Sequence, residues 1–388
     1  MAKIPIYLFF CYLALLPLDS ILVISAESSG ATYTRLLSIS LLVFVLLNFS
    51  VWKKRVKLTP EMLSAIFFIL YGVLSTLWAI DAQTAINRVP VAVSLLLFYL
   101  AVTAYPINMN DYKNAMYIYV FGACIASLYL FKLFFIEGVI YVSDRASLIY
   151  GNKTTDPNQF AFSLLLPLAL SASMSFNCLN YRGKFLSAMA TLLLLSAIVL
   201  TGSRGGILGA VIIFGYLLVS NRSLKKTIFL VVIPLTTYLF FVDLLQSRFS
   251  IAISSGGAGR LDIWEIGYSA FLDNLIFGCG LNNFPVVFNF HRISDYTLGF
   301  GRGSHSIFVG TMVELGVVGF VSMLVFFITH YRSLKNVGKE FSLPLKAAFF
   351  GLMVHSMTLD TLWRKSFWVL FVFISFAYFL NSRKPQNV

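Results

Sequence analysis

Three basic side chains interrupt a strongly apolar sequence, and their types point to an anionic ligand. Arg204 lies in the run Thr-Gly-Ser-Arg-Gly-Gly, Arg260 follows Gly259, and His305 stands just ahead of a long apolar run. Guanidinium groups form charge-assisted, often bidentate hydrogen bonds with phosphate oxygens. A neutral imidazole can accept a proton near pH 7. Together the three residues predict a site that holds an anion and moves a proton.

Arg204 is followed at once by Gly205 and Gly206, ahead of an apolar helix. Two glycines let the backbone approach a ligand closely, and the free N–H groups at a helix start attract phosphate oxygens. The alternative is an arginine that extends its charge to the membrane boundary beside a tight turn. The local sequence leaves both interpretations open.

Arg260 is predicted to begin an amphipathic helix that lies near the outer membrane boundary. A cation at a helix N-terminus is unfavourable with respect to the helix dipole, which favours an anionic partner at Arg260. Pairing with Asp262 or Glu265 explains the position equally well. For His305, the dipole of the following helix is expected to keep the imidazole neutral, although a purely hydrogen-bonding role is the alternative.

Further polar residues fall at the same predicted membrane face. Asp156 and Asn158 flank Pro157 just before a span, where they can cap the helix or contact a sugar hydroxyl. Lone arginines at a membrane boundary are commonly interface anchors, and ligand contact is the alternative. The candidate binding residues are Arg35, Arg88, Arg145, Asp156 and Asn158.

Glu314 lies in the apolar run that follows His305. In a regular helix it would face away from His305, so the two are not expected to form a direct acid-base pair. We expect Glu314 to be a structural hydrogen-bonding residue, with Gly316 and Gly319 allowing close helix packing.

The composition requires a membrane environment for the elements that position these residues. Hydrophobic residues make up 59% of the chain and charged residues only 12%, whereas soluble domains carry about 25% charged residues. Apolar runs predict an all-α polytopic protein with about twelve transmembrane helices. The predicted spans are 4–24, 36–51, 61–80, 89–105, 114–136, 159–177, 185–201, 206–220, 227–243, 305–329, 343–360 and 366–381.

The distribution of Lys and Arg predicts the orientation of this single membrane domain, 1–388. Cytoplasmic termini place more basic residues in the short inside loops than in the outside ones, as membrane topology favours. The long loop 244–304, between spans 9 and 10, then lies outside. The run 4–24 is interpreted as a retained span, and a signal peptide with a mature start at Glu27 is the alternative.

Charge and cysteine content argue against several other classes. The net charge of +13 is spread over short loops and accompanies no motif for nucleic acid, so no nucleic-acid partner is expected. Cys11, Cys124, Cys178 and Cys279 show neither CxxC nor Cys/His spacing. No disulfide framework, metal site or cofactor is predicted.

The order of these features resembles the O-antigen ligase and polymerase superfamily of bacterial envelope glycosyltransferases. The resemblance covers roughly residues 145–320 and rests on motifs that surround one long outer loop. These motifs are Arg145 with Asp156-Pro157-Asn158, Ser203-Arg204-Gly205-Gly206, Gly259-Arg260-Leu261-Asp262-Ile263-Trp264, Gly278-Cys279-Gly280, and His305 with Glu314-Leu315-Gly316-Val317-Val318-Gly319.

The resemblance implies a GT-C-like multi-pass enzyme of the bacterial inner membrane with a periplasmic active site. Its donor would be a glycan on undecaprenyl diphosphate, with Arg204 and Arg260 binding the diphosphate and His305 acting on the acceptor. The region 351–383, with Asp360, Trp363 and Arg364, resembles the end of O-antigen ligases. It therefore favours a ligase with a lipid A-core acceptor. Fixed guanidinium groups can stabilise a departing diphosphate without a metal, and attack opposite the diphosphate inverts the anomeric carbon, so we expect a metal-independent, inverting reaction. Membrane lipids are the further expected partners.

Three alternatives remain open at this point. An O-antigen polymerase would use the same donor and a second lipid-linked repeat as acceptor. A transporter of lipid-linked sugars would also have many spans and charged groups within the membrane. A structural or partner-binding membrane protein is the third alternative.

Overall fold

A computed structural model describes residues 3–24, 32–47, 58–139, 145–177, 180–220, 223–243, 245–246, 259–291 and 299–382. These residues are mostly helical, which confirms the predicted all-α class. The α-helices are, in chain order, α1 (Ile4–Leu15), α2 (Tyr33–Leu47), α3 (Pro60–Leu74), α4 (Ala82–Ala104), α5 (Met109–Phe131), α6 (Pro157–Asn177), α7 (Tyr181–Leu200), α8 (Arg204–Val219), α9 (Leu224–Phe240), α10 (Arg260–Asp273), α11 (Phe284–His291), α12 (Ile307–Ser333), α13 (Lys339–Ser356) and α14 (Lys365–Ser382).

Short irregular elements extend or connect these helices. Turns of 3-10 helix follow α1, α3 and α12, and a π-helical turn follows α5. The strands β1 (Ile149–Tyr150) and β2 (Lys153–Thr154) form a small antiparallel hairpin ahead of α6. The extending turns are Leu16–Leu18, Ser75–Leu77, Lys132–Ile136 and Leu334–Asn336.

The chain is an integral membrane protein. Within the described part of the chain, six helical segments are long and apolar enough to cross a bilayer, and shorter apolar helices accompany them. The sequence-based count of about twelve spans includes these shorter helices and stays a prediction. The six segments are Pro60–Leu77, Ala82–Ala104, Met109–Ile136, Pro157–Asn177, Tyr181–Leu200 and Ile307–Asn336.

Helix α6 lies at the centre of the bundle, because 89% of its most apolar window is buried, against about half for the other five segments. It packs against α7, α8 and α13. Where α8 meets α13, a Cβ on Gly209 would lie 2.8 Å from the carbonyl oxygen of Gly351, and the reverse contact has the same length. Glycine at both positions therefore lets the two backbones touch.

Helix α12 is broken at Gly316, whose backbone has φ 62° and ψ −165°. The segment 275–280 fills the break: Val317 N donates to Leu275 O at 2.9 Å, and Gly280 N donates to Glu314 O at 2.8 Å. Gly278, also at positive φ, leaves no room for a Cβ against Gly316 N, 2.5 Å away. Gly316 thus allows α12 to break and to form hydrogen bonds with segment 275–280. The sequence had predicted only that this glycine allows close helix packing.

Candidate functional site

One cavity of about 450 Å³ collects most of the charged residues that the sequence singles out. We call it the arginine cavity. Six arginines but only two aspartates contribute to its walls, so the fixed charge of this group is strongly positive. Its charged and polar lining consists of Arg88, Arg145, Arg204, Arg260, Arg302, Arg364, Asp156, Asp360, Asn158, Gln159 and His305.

Helix starts and connecting segments bring these residues together. The cavity is lined by the first residues of α6, α8 and α10 and by the segment just ahead of α12. The segment between α13 and α14 closes another side. Because helix N-termini carry partial positive charge, the backbone adds to the field of the arginines.

Arg204 is the first residue of α8 and lines the arginine cavity. The Ser203 side chain caps the helix by accepting a hydrogen bond from Gly206 N at 3.2 Å. A Cβ on Gly206 would lie 2.7 Å from the Ala161 side chain, and one on Gly205 would lie 2.6 Å from Thr358 Oγ1. The two glycines therefore seat α8 against its neighbours, while Gly205 also forms part of the cavity wall.

Arg260 begins α10, directly after Gly259 in the left-handed conformation at φ 71°. Burial, followed by the positive charge of Arg204, lowers the pKa of Arg260, while Asp156 opposes this. A guanidinium stays protonated in proteins, so two like charges face one cavity. An anion between them would relieve this repulsion.

His305 lies two residues before α12 and adopts φ 49°, which is unusual for a residue other than glycine. Its position is fixed by its neighbours: Ser306 caps α12, and Ser304 Oγ donates to Ser306 O at 2.8 Å. Trp264 in α10 donates from Nε1 to Ser304 O at 3.0 Å, which ties the helix of Arg260 to the histidine segment.

The electrostatic surroundings keep His305 neutral. Burial, then the positive charges of Arg260 and Arg302, lower its pKa from the ordinary value of 6.5, with Asp156 acting in the opposite direction. The direction agrees with the expectation from the helix dipole, but the causes are burial and neighbouring arginines. A neutral imidazole at pH 7 can accept a proton.

Comparison with known families bears on this arrangement. A family model described as O-Antigen ligase matches residues 189–324, a segment that contains Arg204, Arg260 and His305. Over this segment the chain is similar to O-antigen ligases, which supports the predicted resemblance to the O-antigen ligase and polymerase superfamily. No curated protein matches the chain.

In this O-antigen ligase-like protein, Arg145 and Asn158 brace one wall of the arginine cavity. Arg145 donates from Nε to Thr201 O and from Nη2 to Asn158 Oδ1, each at 2.9 Å. Asp156 Oδ1 accepts from Asn158 N at 2.8 Å, so it caps α6 as its position before Pro157 suggested. Arg145 therefore ties the start of α6 to the end of α7.

Asp360 lines the arginine cavity within electrostatic reach of Arg88 and Arg364. Its enclosure raises the pKa of the carboxyl group, and the positive charges of Arg88 and Arg364 oppose that rise. The Arg88 guanidinium also stacks on Trp363, 5.5 Å from the ring centre. The sequence alone could not predict this arrangement, because Arg88 comes from the distant helix α4 and Arg364 from a later turn.

Arg302 is the charged residue of the cavity lining that sequence reasoning missed. It is exposed and lies in a glycine-rich stretch without a helical pattern, three residues before His305. That proximity to a candidate base was the available signal. Its effect on His305 depends on how residues 299–304 fold back toward α10.

Arg35 is the candidate that the described structure places elsewhere. It is exposed on α2 and does not belong to the lining of the arginine cavity. It lies within electrostatic reach of Lys365, whose Nζ binds Asp19 Oδ1 at 2.9 Å. Arg35 thus adjoins a separate ion pair, and ligand binding by Arg35 stays only a sequence-based prediction.

Glu314 and the cysteines contribute in other ways. Glu314 Oε1 accepts a hydrogen bond from Phe284 N at 3.4 Å, which connects α12 to α11. Cys11, Cys124 and Cys279 are free thiols, and Cys178 lies outside the described residues. No group of three or more His, Cys, Asp or Glu side chains within the described ranges is arranged to hold a metal ion.

Proposed function

We propose that this protein is an O-antigen ligase that transfers a glycan from undecaprenyl diphosphate to a sugar hydroxyl of lipid A-core. The observation that carries the proposal is the shared cavity in which two repelling arginines stand beside a neutral histidine. The arginines outnumber the aspartates of the cavity, so positive charge remains to bind a diphosphate. A neutral imidazole can accept the proton of a hydroxyl group.

The proposed reaction is a single displacement at the anomeric carbon of the donor. His305 accepts the proton of the acceptor hydroxyl, whose oxygen forms the new bond to that carbon. The bond from the anomeric carbon to the phosphate oxygen breaks, and undecaprenyl diphosphate leaves with the electron pair. Attack from the side opposite the diphosphate inverts the anomeric configuration.

Arg204 and Arg260 stabilise the negative charge that develops on the departing diphosphate. Donors that are already aimed at this charge need little rearrangement during the reaction. In this proposal the guanidinium groups supply the positive charge, so the reaction is metal-independent and needs no cofactor. Arg88, Arg145, Asp156 and Asn158 would shape the sugar and phosphate pocket around them.

The proposed site faces the periplasm of a bacterial inner-membrane protein with cytoplasmic termini. Helices α6, α8 and α12 begin at the arginine cavity, so their other ends lie at the opposite membrane face. That opposite face carries Lys226 and Lys339 at the starts of α9 and α13. An excess of lysine in short loops marks the cytoplasmic side.

The choice of a ligase over a polymerase rests on the segment between α13 and α14. Asp360 and Arg364 from this segment line the arginine cavity, and the ring of Trp363 packs against the Arg88 guanidinium. This is the region whose sequence is similar to the end of O-antigen ligases.

A reconstitution assay with two acceptors tests the proposal. The purified protein in detergent receives the lipid-linked glycan together with either lipid A-core or a second lipid-linked repeat. A ligase forms glycan-capped lipid A-core. Elongation of the lipid-linked repeat alone would identify a polymerase, and movement of the donor across vesicles without any new bond would identify a transporter.

A further inference from the structure

A second set of polar residues lies at the membrane face opposite the arginine cavity. Helix α6 begins beside Asp156 at the arginine cavity and ends at Asn177, and its 21 residues span about 30 Å. Helix α8 runs the same way from Arg204 to Ser220. The residues at these far ends line two adjoining cavities of about 420 and 180 Å³.

The two cavities form one site because they share wall residues. Ser173, Asn177 and Glu340 line both of them. Lys113 contributes to the larger cavity, and Lys226 and Lys339 contribute to the smaller one. We call this combined site the lysine cavity.

The charge of the lysine cavity favours an anion. Its three lysines outnumber the single carboxylate of Glu340. The lysines come from α5, α9 and α13, which are far apart in the sequence and meet only in the fold. Lys226 is half-buried, and its Nζ lies 5.4 Å from the centre of the ring of Phe176, which also lines the smaller cavity.

Each cavity also has an apolar part of its wall, which suits a hydrocarbon chain. Met116 and Met174 line the larger cavity, and Leu217 and Leu230 line the smaller one. These residues belong to the membrane helices α5, α6, α8 and α9 and are buried in the bundle. Basic pockets between transmembrane helices at the cytoplasmic face recognise the headgroups of anionic lipids.

We propose that the lysine cavity binds one anionic glycerophospholipid, with its phosphate between Lys113, Lys226 and Lys339 and an acyl chain along the methionines and leucines. The bound lipid would link the ends of α5, α9 and α13. This inference does not depend on the reaction proposed for the arginine cavity, because the two sites lie at opposite membrane faces.

Native mass spectrometry of the purified full-length protein tests the inference. The protein is exposed to equal amounts of phosphatidylglycerol and phosphatidylethanolamine, and the retained lipid is measured. We expect retention of phosphatidylglycerol over phosphatidylethanolamine, with a loss of about tenfold in the triple variant K113Q/K226Q/K339Q. The matched variant K184Q/K225Q/K335Q removes three lysines at the same face outside the cavity and should change retention by less than about twofold.

Glu340→Gln separates loss of binding from loss of folding. It removes the carboxylate from the shared wall, so retention of phosphatidylglycerol should rise by about threefold, which a misfolded protein would not show. Inorganic phosphate at millimolar concentration should leave the lipid bound. Equal retention of both lipids, an equal effect of the two triple variants, or displacement by inorganic phosphate alone would overturn the proposal.

Discussion

Arg260 and Arg204 face the same cavity from the first residues of two different helices, and Asp262 in the first turn of α10 does not line that cavity. Burial, and then the charge of Arg204, lowers the pKa of Arg260. This arrangement costs folding free energy, because like charges are held close in a partly dehydrated place. An anionic substrate that binds between them would offset that cost, which is why the pair forms the centre of the proposed mechanism.

Product inhibition tests the role of the arginine pair in binding the diphosphate. We expect Arg204→Gln and Arg260→Gln each to weaken inhibition by undecaprenyl diphosphate by about 10- to 100-fold, as for the loss of charge-assisted hydrogen bonds. Compared with Arg204→Gln, Arg204→Lys should recover part of the affinity, because lysine keeps the positive charge but cannot form the bidentate hydrogen bonds of a planar guanidinium. The inhibition constant is the measured quantity.

Arg35→Gln is the matched control for this experiment. It removes the same charge at an exposed position on α2, outside the arginine cavity. The inhibition constant should stay at the wild-type value. An equal effect of all three glutamine variants would show that overall charge, and not the arginine pair, governs binding.

The pH dependence of transfer tests the state of His305. The neutral imidazole is the active base in the proposed mechanism, and its pKa lies below the ordinary 6.5 because of burial, Arg260 and Arg302. The rate should therefore persist as the pH falls through 6.5 and decline only when the pH passes the lowered pKa. Rates measured from pH 4.5 to 8 would locate this acidic limb.

Arg302→Gln should move the same limb to higher pH. Arg302 is exposed, and its positive charge is one of the causes that lower the pKa of His305. Removing that charge stabilises the imidazolium, so protonation begins at a higher pH. An unchanged profile, with a folded variant, would contradict the proposed electrostatic contact.

Thermal unfolding tests the broken helix. Gly316→Ala would place a side chain at positive φ and against the carbonyl oxygen of Ile276, with Gly278 N only 2.6 Å away. We expect destabilisation by about 2 kcal/mol or more, together with a lower unfolding midpoint. Gly215→Ala is the control, because a Cβ there meets nothing within 4 Å, and it should leave the midpoint unchanged or slightly raised.

The sequence predicted those features that depend on local chemistry. The glycine before Arg260 and the apolar spacing after it placed the start of α10 correctly, and Asp156 caps α6 as expected. The apolar runs predicted the membrane class and most helices. The predicted span boundaries differ from the helix ends by a few residues. For example, the predicted span begins at 305, whereas α12 begins at Ile307.

Other features depend on contacts that the sequence does not encode locally. Arg35 and Arg88 look alike as lone arginines at one boundary, yet only Arg88 reaches the arginine cavity, since position around the bundle is set by helix packing. The break at Gly316 was hidden inside a continuous apolar run, because its cause is the docked segment 275–280. For Arg302, the sequence offered only its proximity to His305 as a signal.

Single-turnover transfer is the most direct test of the central claim, that Arg204, Arg260 and His305 act together on a lipid-linked glycan. Wild-type protein and the variants Arg204→Ala, Arg260→Ala and His305→Ala are each given labelled donor and lipid A-core in detergent, after equal expression and folding are verified. We predict that each variant loses about 100-fold or more of the transfer rate. Wild-type rates of glycan-capped lipid A-core formation in all three folded variants would contradict the account.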